Sequence, residues 1–260
     1  MRIALGVSYS GQAYQGWQSQ ASGLTVQDRL ESALTQFTGQ RVSTLCAGRT
    51  DAGVHALMQV VHFDTSVARD THAWVRGTNA YLPKDIAVEW ARLVPGGFHC
   101  RASATSRRYA YVLRQSEIRP TVDAGRVGWT FYPLDGAVMR EAAQSLLGEH
   151  DFSSFRASQC QAQSPVKQLY EISIDQRGAY WRFEFEANAF LHHMIRNIMG
   201  CLLQIGQGRR PASWMQEVLM ARDRDAAAPT FSPSGLYFLG PRYPAHWSLP
   251  ERTPAYDWLP

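Results

Sequence analysis

The chain opens with an apolar, β-prone run, RIALGVSY (Arg2 to Tyr9), which predicts a first strand. A loop rich in Gly, Ser and Gln follows, and in it Tyr14 and Trp17 are expected to stand exposed toward a partner. Thr25 with Asp28 makes a capping pair, and Val26, Leu30, Ala33, Leu34 and Phe37 recur at helical spacing behind it. Strands are predicted at about 41–46 and 58–63, a helix at about 72–80 that ends before Pro83, and a strand over DIAVEWARLV. The order of the first half is therefore β-α-β-β-α-β.

The second half repeats that order in its elements, not in its letters. RRYAYVLR (Arg107 to Arg114) predicts a strand, and LDGAVMREAAQSLLG a helix closed by Gly148. LYEISIDQRGAYWRFEFEA predicts two alternating strands joined at Arg177-Gly178. FLHHMIRNIMGCLLQIG predicts a strongly apolar helix, PASWMQEVLMAR a further helix, and GLYFLG a last strand. The fold class is α+β, with two ferredoxin-like halves, each built on an antiparallel sheet. The boundary falls near 102–106, giving an N-terminal domain over 1–104 and a C-terminal domain over 105–260.

Composition narrows the setting. Hydrophobic residues at 45% with 18% charged describe a globular chain, and no run approaches the roughly 18 apolar residues of a membrane span. The first residues lack the long apolar region of a secretory signal, so a cytoplasmic location is expected. Cys46, Cys100, Cys160 and Cys201 are scattered without a close pair, which argues against a disulfide framework or a zinc ribbon. Net charge is +4, and Lys84 and Lys167 are the only lysines among 26 cations, leaving 24 arginines. Arginine's planar fork binds phosphate and stacks on bases, although a codon bias gives the same count.

Three segments carry candidate chemistry. The first is CAGRTDAGVHA (Cys46 to Ala56), a loop between strands that sets Arg49, Asp51 and His55 among small residues. Taken alone it also reads as a turn, with Asp51 a turn residue and Arg49 its surface ion pair. In the second, NAFLHHMIRNIMGCLLQIG, Leu191, Ile195, Ile198, Leu202 and Ile205 form one helical stripe, while His192, Arg196 and Gly200 share another face. Arg196 on a buried helix needs a carboxylate or a phosphate to meet it. In the third, strand alternation puts Arg107, Tyr109, Tyr111 and Leu113 on one face, a platform for a nucleotide or else half-buried tyrosines.

GRTDAGVHA around Asp51, RRYAY around Tyr109, FLHHMIRNIMG around Arg196 and GLYF around Leu236 together resemble the tRNA pseudouridine synthases of the A type. GQAYQGWQSQ, NAYLPKDIAV and GEHDFSSFRA resemble further stretches of that family, in order, over roughly Arg2 to Pro244. The resemblance implies an isomerase that turns uridine into pseudouridine at tRNA positions 38, 39 and 40 in the anticodon stem-loop. It implies a homodimer whose chains together form RNA-binding clefts flanked by the sheets, and no cofactor or metal. Carried over residue by residue, Asp51 matches the catalytic aspartate and Arg49 an arginine that helps flip and hold the nucleotide. Tyr109 matches the tyrosine packed on the target base, and Arg196 the arginine that pairs with the catalytic aspartate. Leu236 matches an apolar contact to the base, with Phe238 close by in the same strand. Whether Asp51 attacks the sugar or the base stays open.

Two rival classes are separable. A structured-RNA-binding module without chemistry explains the arginines and aromatics, but not a carboxylate facing phosphates. A metal-dependent nuclease using Asp51, His55 and His192 would want clustered carboxylates, and neither the zinc deaminase pattern nor H-E-x-x-H is present. His55 and His192 read as hydrogen-bonding elements instead.

Overall fold

The computed structural model describes residues 1–251, and these divide into two compact units: Met1–Arg107 joined by residues 237–251, and Arg108–Leu236. In the first stretch of chain the elements are β1 (Arg2–Tyr9), α1 (Val26–Thr38), β2 (Leu45–Cys46), β3 (His55–Asp64), α2 (Thr71–Asn79) and β4 (Ile86–Val94). In the second they are β5 (Ser106–Gln115), β6 (Gly128–Thr130), α3 (Gly136–Gln144), β7 (Gly148–Asp151), β8 (Val166–Arg177), β9 (Tyr180–Ala187), α4 (Met194–Gly206) and α5 (Trp214–Ala221). The last strand is β10 (Leu236–Arg242). The architecture is α+β, as the pattern predicts.

In the first unit β1 lies between β3 and β4 and is antiparallel to both. β1 is apolar at nearly every position because both of its faces are covered. On one face Ala4, Met58, Val60, Trp90, Phe98 and Cys100 form a core cluster capped by Tyr243, Trp247 and Leu249. On the other, Trp74 of α2 meets Phe37 and Phe63 edge-on at 5.4 Å each. Thr25 caps α1 by accepting the amide of Asp28, as its sequence predicts. The segment 41–46 is strand only at Leu45–Cys46. The last strand, which sequence order assigns to the second half, returns to the first unit: β10 runs parallel to β3, with Tyr237 opposite His55.

The second unit has the strand order β5-β9-β8-β7, with β6 parallel beside β5. The two parallel pairs qualify the expectation of purely antiparallel sheets. β8 and β9 form the expected hairpin, turning at Gly178. α3 ends at Gln144, short of Gly148, which instead begins β7. α4 is covered around almost its whole circumference, as its all-round apolar sequence requires. Among the described residues no helix is long and apolar enough to cross a membrane.

Candidate active site

Asp51 and Arg49 lie together in the first unit, on the loop between β2 and β3. Regular pairing ends at Ala47, whose amide still donates to the Val60 carbonyl at 2.9 Å, and resumes only at His55. A loop of this length would wander if nothing held it, because its backbone groups have left the ladder. Here it is held at nearly every residue. Gly48 bonds to the side-chain amide of Gln59 through both its N–H (3.3 Å) and its carbonyl (2.5 Å). The Thr50 hydroxyl shares a 2.7 Å bond with the buried Tyr9 hydroxyl, and the Thr50 carbonyl accepts the Trp17 amide at 3.0 Å. Gly53 has φ +78, a left-handed turn that needs glycine, and its amide donates to the Tyr14 carbonyl. These anchors leave Arg49 exposed and Asp51 partly exposed at the crest.

The loop that holds Asp51 from outside is the one expected to present aromatics to a partner, and that expectation is corrected. Trp17 is 1% exposed and packs on Tyr9 at 5.7 Å, and the Tyr14 hydroxyl donates to Asp85 at 2.7 Å. Both rings are core because the loop lies flat against the Asp51 segment. Gly16, at φ +94, passes so near that a Cβ there would sit 2.7 Å from the Thr50 carbonyl. Gly11 is closer still to Val54, whose carbonyl a Cβ would meet at 1.9 Å. The two glycines were the signal available in the sequence; the polar composition around them pointed the other way.

Burial raises the Tyr9 hydroxyl well above its ordinary pKa, so it stays protonated and able to donate. His55 is buried, accepts the Gly11 amide on Nδ1 at 3.1 Å and stacks on Tyr237 at 4.6 Å. It is a structural hydrogen-bonding residue, as the sequence suggests.

Tyr109, Arg196 and Leu236 belong to the second unit. Tyr109 on β5 is 8% exposed, and its ring meets Phe190 edge-on at 5.1 Å. Its neighbour on the same face, Tyr111, is fully buried and donates its hydroxyl to the Ser232 carbonyl at 2.8 Å. Arg107, the last residue of the first unit, binds the carbonyls of Arg101 and Ala104. The anticipated platform of an arginine and two phenols therefore shrinks to Tyr109, because Tyr111 and Arg107 bind protein carbonyls.

Arg196 sits in the first turn of α4, half-buried, with Nε donating to the Phe231 carbonyl at 2.8 Å while the Phe231 amide donates back to the Arg196 carbonyl at 3.1 Å. A carbonyl thus meets one N–H of this cation. Gly200, one turn on, allows the 228–231 segment to close against the helix; a Cβ would lie 2.4 Å from the Pro229 carbonyl. The predicted helical pairing of His192 with Arg196 is corrected: the helix begins at Met194, and His193 caps it in the left-handed region at φ 64. His192 lies outside the helix, its amide directed to the Cys160 sulfur at 3.4 Å. Leu236 opens β10, buried at 5% exposure, and Phe238 is fully buried.

The chain is similar to known proteins over its whole length. A family model described as tRNA pseudouridine synthase matches residues 6–101 and 142–244. The chain is 70% identical to tRNA pseudouridine synthase A of Albidiferax ferrireducens over 260 residues, covering all of both chains. It is 67% identical to the protein of that name from Paracidovorax citrulli and 69% identical to the one from Polaromonas sp. strain JS666, again over the whole of each chain. These matches take in the Asp51 loop, the α4 segment and the start of β10. These matches define an RNA-modifying isomerase. The chain belongs to the tRNA pseudouridine synthase family.

Proposed function

We propose that this enzyme isomerises uridine to pseudouridine at positions 38, 39 and 40 in the anticodon arm of tRNA, with Asp51 as the catalytic residue. The observation that supports it best is the Asp51 loop: a short carboxylate-bearing segment tied down by Gln59, Tyr9 and Trp17 with its crest left open. A carboxylate on a fixed mount is what a reaction needs when its gain comes from orientation.

The reaction breaks the N1–C1′ bond, turns the uracil and rejoins it through C5. N1 gains a proton and C5 loses one, so atoms and oxidation state balance without an external reagent. Asp51 serves as nucleophile or assists proton removal. Arg49, exposed two residues away, and Arg196 support catalysis and hold the flipped nucleotide through phosphate or carboxylate contacts. Tyr109 and Leu236 contact the base. Extruding a uridine costs a few kcal/mol of unstacking, which stacking and phosphate contacts offset. The enzyme acts as a cytoplasmic homodimer on tRNA and needs neither metal nor cofactor.

The test uses tRNA transcripts with uridines at 38 to 40, purified protein and EDTA, with pseudouridine mapped by its chemical adduct. Product from wild type and none from Asp51→Asn supports the reading. Tight binding by both proteins with product from neither sinks it in favour of an RNA-binding module, and activity that EDTA abolishes favours the metal-dependent class.

A further inference from the structure

The register of β2 on β3 runs Leu45 opposite His62 and Cys46 opposite Val61, and Ala47 still bonds to Val60. Continued two residues past Cys46, that register sets Gly48 opposite Gln59. At this position the backbone ladder is replaced: Gly48 offers its N–H and its C=O not to the backbone of β3 but to the side-chain amide of Gln59. A side chain stands off a sheet, so the exchange lifts the chain off β3 by one side-chain length where the loop begins. Glutamine suits this because its amide carries a donor and an acceptor, as a peptide unit does. The pairing also fixes the amide's orientation, since a flipped amide would set NH₂ against N–H. Gln59 is completely buried, where an unpaired amide would be costly. The Tyr9 hydroxyl, bonded to the Thr50 hydroxyl at 2.7 Å, holds the loop two residues further on.

We propose that Gln59 is a positioning residue for the isomerisation: its side chain substitutes for a missing strand pair and sets the height and direction at which Asp51 is presented. The proposal rests on Asp51 being the catalytic residue. It makes Gln59 part of the rate of the chemical step and leaves tRNA binding to other groups. Tyr9 is the accessory strut, through Thr50.

The test is single-turnover pseudouridine formation, with tRNA Kd and thermal melting measured alongside at a temperature where every variant is folded. Gln59→Met keeps length and apolar volume but removes both bonds to Gly48. The expected result is a loss in rate of about 10- to 100-fold, the scale of a misplaced reacting group, with Kd changed less than about 3-fold. Gln59→Glu keeps the shape but sets a carboxylate against the Gly48 carbonyl. It should be slow at pH 8 and recover relative to wild type toward pH 6, because a protonated carboxyl regains the donor. A purely structural role would not produce that recovery with unchanged Kd. A wild-type rate in Gln59→Met overturns the proposal, and so does a loss of rate that only follows loss of folding or of tRNA binding. Should Gln59→Met fail to fold, the pH response of Gln59→Glu decides alone, a flat ratio to wild type overturning it. Asp51→Asn in the same assay separates the two readings: if it retains activity, the assignment of Asp51 has failed, whatever Gln59 does.

Discussion

The two segments that carry the proposed site chemistry are mounted by opposite means. The Asp51 loop has few apolar side chains of its own and is held by hydrogen bonds from Gln59, Tyr9, Trp17 and Tyr14. The Arg196 segment is the first turn of α4, a helix buried on nearly every side and closed against residues 228–231 through Gly200. Hydrogen bonds are directional and modest in net energy, about 1 kcal/mol each, whereas burial is undirected and large in sum. The loop should therefore be sensitive in rate and tolerant in stability, and the helix the reverse.

The largest effect is expected from Asp51→Asn. The side chain is partly exposed at the loop's crest, so the melting temperature should stay within a few degrees while product formation falls by about 10³-fold or more. A large drop in melting temperature would show that the carboxylate also holds the loop together.

Gly200→Ala probes the helix side. A Cβ 2.4 Å from the Pro229 carbonyl forces the 228–231 segment outward, and overpacking of this kind costs about 2–3 kcal/mol, beyond what alanine returns in helix propensity. Chemical denaturation should show that loss, and activity at low temperature, where the variant is folded, should fall far less than in Asp51→Asn.

These contrasts also explain what was legible in the sequence. Local elements with local signals were read well: Thr25 caps α1, and Arg2–Tyr9 is β1. The start of α4 was not, because the apolar period runs on through Phe190 to His193 while the backbone turns left-handed at His193, and periodicity carries no φ. The polar neighbours of Trp17 and Tyr14 predict exposure, but the contact that buries them comes from a loop more than thirty residues away. Chain order places β10 in the second half, but its partner β3 is remote in sequence. Residue type and spacing point to Arg49, Asp51, Tyr109 and Arg196, and resemblance adds Leu236 and the expected roles, whereas Gln59, which holds the loop, has no local signature at all. It becomes visible only when the register of β2 on β3 is known.

A third prediction concerns acid. His62 lies on β3, the strand the loop leads into, and burial, with the nearby Arg2 charge, lowers its pKa to about 4. Unfolded histidine titrates near 6.5, so between these values the unfolded chain binds the proton and the folded chain does not. Stability contributed at this position is therefore full above about pH 6.5 and declines as pH falls toward 4. The decline should reach no more than about 2 kcal/mol between pH 7 and pH 5. Denaturation midpoints at those two pH values should converge in His62→Gln. Equal pH sensitivity in that variant would move the acid-labile group elsewhere.

The smallest effect comes from Tyr111→Phe, and it tests the comparison most closely. The Tyr111 hydroxyl donates to the Ser232 carbonyl at 2.8 Å, one residue from the Phe231 carbonyl that Arg196 holds. The ring is fully buried, and its hydroxyl lies so near Gly128 that a Cβ there would approach within 2.4 Å, so phenylalanine keeps the packing and removes one bond. The expected cost is about 1 kcal/mol of stability, read by denaturation, with the rate per folded molecule unchanged. That outcome separates it from Gln59→Met, which also removes hydrogen bonds from a buried side chain but is expected to act on rate. If Tyr111→Phe instead slowed the chemical step at unchanged stability, the Arg196 segment would depend on directional bonds as the Asp51 loop does. Packing on α4 would then not be what holds Arg196 in place.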